Sequence, residues 1–201
     1  ALTTPLITTS SGEKMGKTRG NILDPLQMVD AFGADALRYL LLREVPFDRD
    51  GDVTAEVFLN RYDADLANDI GNLFSRTVTM ISKYLGGEVE TKPLGAGHEL
   101  YAELVRSLEA YRGHMDRMEF SRALGAYWSV IQRANRFIEE KRPWDLAKDP
   151  AKRGELEEMF RELLAVLRAS GVVLSPFMPR KMAEMLAQLG AGNLTMNDLP
   201  E

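Results

Sequence analysis

Three small groups of residues have types and spacings that could do chemistry. In GEKMGKTRGN, residues 12–21, Lys14 and Lys17 stand with two residues between them among glycines, and Thr18 follows. Such a loop can bring two ammonium groups and backbone donors to a polyphosphate, where they offset negative charge developing on a leaving pyrophosphate. The spacing is not that of a Walker A loop, and a basic surface turn, a common use of Lys/Gly loops, accounts for the same residues. In RYDADLANDIGNLFSRTVTMISKYL, residues 61–85, Asn72 and Arg76 stand at i and i+4, so on a helix an amide and a guanidinium project side by side. A solvated helix face is the plainer use of that pair. Finally, Trp144 follows Arg142 and Pro143 at the end of a helical pattern, where an indole is held rigidly yet left partly exposed.

Composition narrows what these groups can belong to. The 201 residues suit one domain, or one domain with part of a second. With no Cys and only His98 and His114 as imidazoles, neither a disulfide framework nor a metal centre is expected. No apolar run approaches the ~20 residues of a membrane span and the first residues do not read as a signal peptide, so a cytoplasmic location is expected. A formal charge of −5 argues against an indiscriminate nucleic-acid binder. It leaves room for a local site that reads unpaired bases through stacking and base-edge hydrogen bonds.

The elements that must position these residues are helical. Residues 1–11, rich in Thr and Ser, read as an extended arm. Asp24, Pro25 and Gln27 start a helix that ends near Phe32 and Gly33, and ALRYLLLREV then forms a short apolar helix stopped by Pro46. FDRDGD, residues 47–52, reads as a polar turn. Thr54 caps a single long helix that runs to Gly86 and Gly87, roughly 45 Å at 1.5 Å per residue. At a period of 3.6 its buried face holds Leu66, Ile70, Leu73, Phe74, Thr77 and Ile81. The free face holds Asp65, Asn68, Asn72, Arg76, Thr79 and Lys83. Further helices are expected over about 98–115, 119–141 and 152–174, with a short one to Leu189. The second of these buries Leu124, Tyr127, Trp128, Ile131, Ala134 and Ile138, which makes Trp128 a core residue. The tail, residues 190–201, has little to bury. The fold class is all-α, an up-and-down bundle. Three divisions are expected: 1–50, carrying the loop and connecting helices; a bundle over 51–189 able to fold without what precedes it; and the tail.

KMGKT at residues 14–18, RGNILDPLQMVDAFGADALRYLLLREVPFDRDGD after it, RYDADLANDIGNLFSRT, and ANRFIEEKRPWDLAKD at residues 134–149 together resemble the C-terminal part of methionyl-tRNA synthetases, which are class I enzymes. The resemblance implies that Lys14, Lys17 and Thr18 belong to a KMSKS-type loop, which helps bind ATP and stabilise the transition state of aminoacyl-adenylate formation. It also implies anticodon contacts at Asn72, Arg76 and Trp144, with Asn135 and Pro143 as neighbours. The implied partners are a methionine tRNA with a CAU anticodon and the catalytic domain of the same enzyme, with no DNA and no membrane.

Two departures accompany the resemblance. Gly16 stands where the family's loop has Ser, and the lead-in LTTPLITTSSGEKMGKT is more similar to the arm of tyrosyl-tRNA synthetases. No HIGH-type motif, nucleotide-binding βαβ unit or zinc knuckle is present, so the chain alone is expected neither to aminoacylate nor to bind ATP tightly. The alternative from a different class is a freestanding helical interaction module without ligase activity.

Overall fold

The computed structural model describes residues 7–8, 24–46, 50–90 and 92–200. Two short helices lead. Helix α1, Pro25–Phe32, starts at Asp24, whose carboxylate accepts from the Leu26 N–H at 2.9 Å, with Pro25 at the first helical position. It ends at Gly33, whose φ of 84° is open to glycine but costly for other residues. Helix α2, Ala34–Glu44, follows at once and stops before Pro46. Its Tyr39 and Leu40 are buried in the main core, and its Asp35 accepts from the Lys181 N–H at 2.8 Å, capping a helix 146 residues away.

The expected turn at 47–52 is overturned at its end. Gly51–Asp52 form a two-residue strand, β2, pairing in parallel with β1, Ile7–Thr8, in the register Ile7 to Gly51 and Thr8 to Asp52. Within the expected arm, these two described residues are extended.

The long helix is continuous but not uniform. Thr54 caps α3, Ala55–Arg61, by accepting from the Val57 N–H at 3.1 Å. Then ten residues, Tyr62–Gly71, adopt π-helix before α4, Asn72–Leu85, resumes the α form. The i→i+5 bonding of a π-helix widens the turn and shifts the phase of the faces. Buried positions accordingly run Asp65, Ile70, Leu73, Thr77, Ile81 and Leu85, with a five-residue step where the π-turn lies. Asp65 is therefore buried, contrary to its expected place on the free face, and Leu66 and Phe74 are only half-buried. Gly86 and Gly87, with φ of 73° and 92°, end α4.

Three longer helices build the bundle: α5, Glu99–Asp116; α6, Phe120–Lys141; and α8, Arg153–Leu174. Between the last two lies the one-turn α7, Pro143–Leu146. Helices α5 and α6 form an antiparallel hairpin, and α8 lies at the centre, touching α4, α5, α6, α7 and the last helix. From Ala169 to Leu174 every residue of α8 is buried, as a helix enclosed on all sides requires. Two of its polar groups meet the start and the body of α5. Glu162 accepts the Leu100 and Tyr101 N–H groups at 2.7 and 3.1 Å, closing the start of α5, and Tyr111 donates to the Val173 carbonyl at 3.0 Å.

Helix α9, Pro179–Gln188, packs on α8 at Gly171, where an added Cβ would lie 2.5 Å from the Leu186 side chain. The tail buries more than expected. Ala191 and Leu199 join the core, and Arg112 donates to the Pro200 carbonyl at 2.9 Å. The fold is all-α as expected, apart from the two-residue strand pair.

Candidate nucleic-acid interface

Asn72, Arg76 and Asn135 come together on one seam, where α4 and the end of the π-helix run against α6. Asn72 is exposed and its side chain has no hydrogen-bond partner among the described residues. One turn on, Arg76 donates from Nη2 to Glu139 Oε1 on α6 at 2.6 Å, with the guanidinium side chain 30% exposed. Asn135, one turn before Glu139 on α6, donates from Nδ2 to the Asp69 carbonyl at 3.1 Å and to the Ile131 carbonyl at 3.4 Å. Two carbonyls on the same side fix which end of that amide is nitrogen. Its Oδ1 is buried without a partner, as is the Thr77 Oγ1.

A second tier sits directly behind this seam. The Asp69 carboxylate accepts from Trp128 Nε1 at 2.9 Å and from Gln132 Nε2 at 3.2 Å. Trp128 is only 3% exposed and stacks obliquely on Tyr39, which agrees with its expected place in the core. At the other end of the π-helix, Asp65 accepts from Tyr39 Oη at 2.6 Å and lies 3.5 Å from Arg61 Nη1 and 3.6 Å from Arg43 Nε. Burial, and after it the Asp65 carboxylate, push the Tyr39 hydroxyl well above its ordinary range, so it stays a donor.

Trp144 belongs to α7, just past the corner where α6 ends. Arg142 makes that corner with φ 49°, a left-handed conformation uncommon outside glycine, and Pro143 begins the next turn. Pro143 is buried, whereas Trp144 is half-buried, one side packed on the core. The corner carries a basic rim: Arg142 and Lys148 each pair with Asp145, at 2.7 and 2.8 Å, and hold its carboxyl below the usual range, Lys148 foremost. No hydrogen bond or ion pair joins Trp144 to Asn72 or Arg76. Lys14, Lys17 and Thr18 lie outside the described residues.

Sequence reasoning missed Glu139, the partner of Arg76, and the anchors Asp65 and Asp69. A signal existed: Arg61, Asp65 and Asp69 repeat at intervals of four and so share a side of an ideal helix, pointing to a polar seam. Among the described residues there is no cluster of His, Cys, Asp and Glu able to hold a metal ion, and no helix long and apolar enough to cross a membrane.

A helical seam with an unpaired amide and a guanidinium, in a chain that also holds a half-exposed indole at the α7 corner, is the equipment of a protein that reads unpaired bases. Family comparison agrees. Residues 4–78 match the family model described as tRNA synthetases class I (M), and residues 89–199 match that of the anticodon binding domain of methionyl tRNA ligase. The methionine–tRNA ligase of Caldanaerobacter subterraneus subsp. tengcongensis is 46% identical over 183 residues, covering 89% of this chain and 28% of that protein. That of Bacillus subtilis is 46% identical over 181 residues, covering 88% and 27%. Among solved structures, Mycobacterium tuberculosis methionyl-tRNA synthetase in complex with methionyl-adenylate superimposes with a TM-score of 0.81 at 35% identity, covering 90% of this chain and 36% of that one. The chain belongs to the methionyl-tRNA ligase family and carries its anticodon-binding domain. It spans a little over a quarter of the length of the curated relatives it matches.

Proposed function

We propose that this chain reads the anticodon of a methionine tRNA, CAU, as the C-terminal part of an ATP-dependent methionine–tRNA ligase acting in the cytoplasm. The observation that carries the reading is the seam itself: Asn72 and Arg76 one turn apart, supported by Asn135, in a chain of this family. Asn72 can donate to and accept from one base edge, and its side chain is uncommitted. Arg76 meets a base or a phosphate after leaving Glu139, an exchange that costs little because a partly exposed ion pair contributes only ~0–1 kcal/mol. Trp144 offers its open side for stacking. Pro143, being buried, sets the indole in place and leaves the contact with RNA to its neighbour.

Within this reading Lys14, Lys17 and Thr18 serve the catalytic half, where the two ammonium groups would steady the phosphates of ATP. The proposed division is 1–50 as the end of that half, 51–189 as the anticodon-binding bundle and 190–201 as the tail. The freestanding interaction module is not favoured, since the relatives are ligases. Titration of the chain with an anticodon stem-loop at several salt concentrations tests the reading. Arg76→Ala should weaken binding and reduce the salt slope by about one phosphate contact if the guanidinium meets the backbone. Unchanged affinity and slope for both Arg76→Ala and Trp144→Ala would show that the RNA binds elsewhere or not at all.

A further inference from the structure

The π-helix ends where the proposed reading head begins, and one glycine lets it do so. The Asn72 N–H donates to the Ala67 carbonyl, five residues back, so the last i→i+5 bond closes on Asn72 itself. At Gly71 an added Cβ would stand 2.7 Å from the Leu66 carbonyl oxygen, closer than such atoms approach, and that oxygen belongs to the backbone and cannot swing away. The Gly71 backbone, φ −64° and ψ −46°, is ordinary for any residue. What the position needs is space, not a special dihedral angle.

Both ends of the π-segment are also tied down. Asp65 is held by Tyr39, Arg61 and Arg43, and Asp69 by Trp128, Gln132 and the Asn135 amide on its carbonyl. We infer that Gly71 and the Asp69–Trp128 anchor are positioning elements for base discrimination: they hold the π-form at Tyr62–Gly71, and the π-form sets the angle at which α4 presents Asn72 and Arg76. The geometry explains why this matters. Each helical residue turns the chain by about 100°, so converting one i→i+5 turn to i→i+4 would drive the following helix out of phase with α6. Helix α4 is fixed by Leu73, Thr77, Ile81 and Leu85 in the core, so the mismatch would fall on the turn that ends at Gly71, and the exposed Asn72 beside it would be turned from its place.

This inference rests on the reading of Asn72 and Arg76 as base contacts, and its test separates the two. Four proteins are compared for binding to a CAU stem-loop and to one with the first base substituted: the full 201-residue chain, Gly71→Ala, Trp128→Phe and Asn72→Ala. Alanine favours α-helix and clashes with the π-form, whereas Trp128→Phe keeps an aromatic ring but removes the N–H that holds Asp69 together with part of the buried indole, on a residue too buried to touch RNA. Wild type should prefer CAU by roughly tenfold or more, Gly71→Ala should lose most of that ratio, and Trp128→Phe should reduce it by about two- to fourfold. A role in stability alone would lower the melting temperature and leave the ratio intact. If Gly71→Ala does not fold, the Trp128→Phe ratio decides. Ratios equal to wild type in every folded positioning variant, with Asn72→Ala losing discrimination, overturn this inference and leave the anticodon reading standing. No preference in the wild type removes both.

Discussion

The hairpin of α5 and α6 and the rod of α3, π-helix and α4 both lie on the same core, but they are held by opposite means. Helix α6 buries nine apolar residues at helical spacing, from Ala123 to Ile138, and needs no buried charge to sit where it does. The rod buries Asp65, leaves Leu66 half-exposed, and is fastened by carboxylates to Tyr39, Arg43, Trp128 and Gln132. Apolar packing is non-directional and tolerates small rotations, whereas a hydrogen-bonded carboxylate fixes an angle. The regular region supplies stability, and the irregular one supplies orientation.

The largest expected effect lies on the regular side. Phe160→Ala in α8, at a fully buried site, should cost about 3–5 kcal/mol in unfolding free energy and leave the preference among stem-loops unaltered in whatever remains folded. Denaturant melts alongside binding ratios check both halves of that statement. On the rod, Asp65→Ala strands the Tyr39 hydroxyl and removes a carboxylate shared by two guanidinium groups, at a cost of roughly 2–4 kcal/mol. Unlike Phe160→Ala, it should also blur base discrimination; a pure stability loss would erase the contrast between the two regions.

Trp144→Ala should weaken stem-loop binding by ~1–3 kcal/mol, with a smaller change in melting temperature than any buried aromatic substitution. Smaller still is the effect at the tip of the regular hairpin. His114, foremost, and then Arg117 and Arg122 draw the Glu119 carboxyl from 4.5 down to about 2. A carboxyl depressed in the folded state stabilises above its unfolded value, and that contribution fades as pH falls from about 4.5 toward 2. Glu119→Gln should therefore be slightly less stable than wild type at neutral pH, and their melting curves should converge in acid. A difference that grows in acid would contradict the assignment.

Much of this was legible in the sequence because the legible parts obey local rules. The Asp24-Pro25 start, the Gly86-Gly87 stop and the apolar spacing of Leu124, Tyr127, Trp128, Ile131, Ala134 and Ile138 all reappear, since caps and periodicity act over a few residues. The π-helix was not legible, because a 3.6 period is assumed by the very pattern used to find faces. Asp65 was misplaced for that reason. Nor could the sequence join Arg76 to Glu139, 63 residues on, or Asp35 to the start of α9, because those partners are set by packing. Residues 51–189, expected to fold unaided, share their core with Tyr39 and Leu40. A chain beginning at Gly51 should melt at a lower temperature than the full one.

The two tryptophans provide the most direct test of the central claim, that the α4–α6 seam and the α7 corner meet the anticodon. Trp144 stands half-exposed at the corner, and Trp128 lies buried behind the seam with its indole N–H on Asp69. In a titration of the nitrogen-15-labelled chain with a CAU stem-loop, two indole signals report the two positions. The account predicts that the Trp144 signal and the Asn72 side-chain amide shift in parallel to saturation while the Trp128 indole holds nearly still. A stem-loop that binds while Trp144 and Asn72 stay unmoved would contradict it.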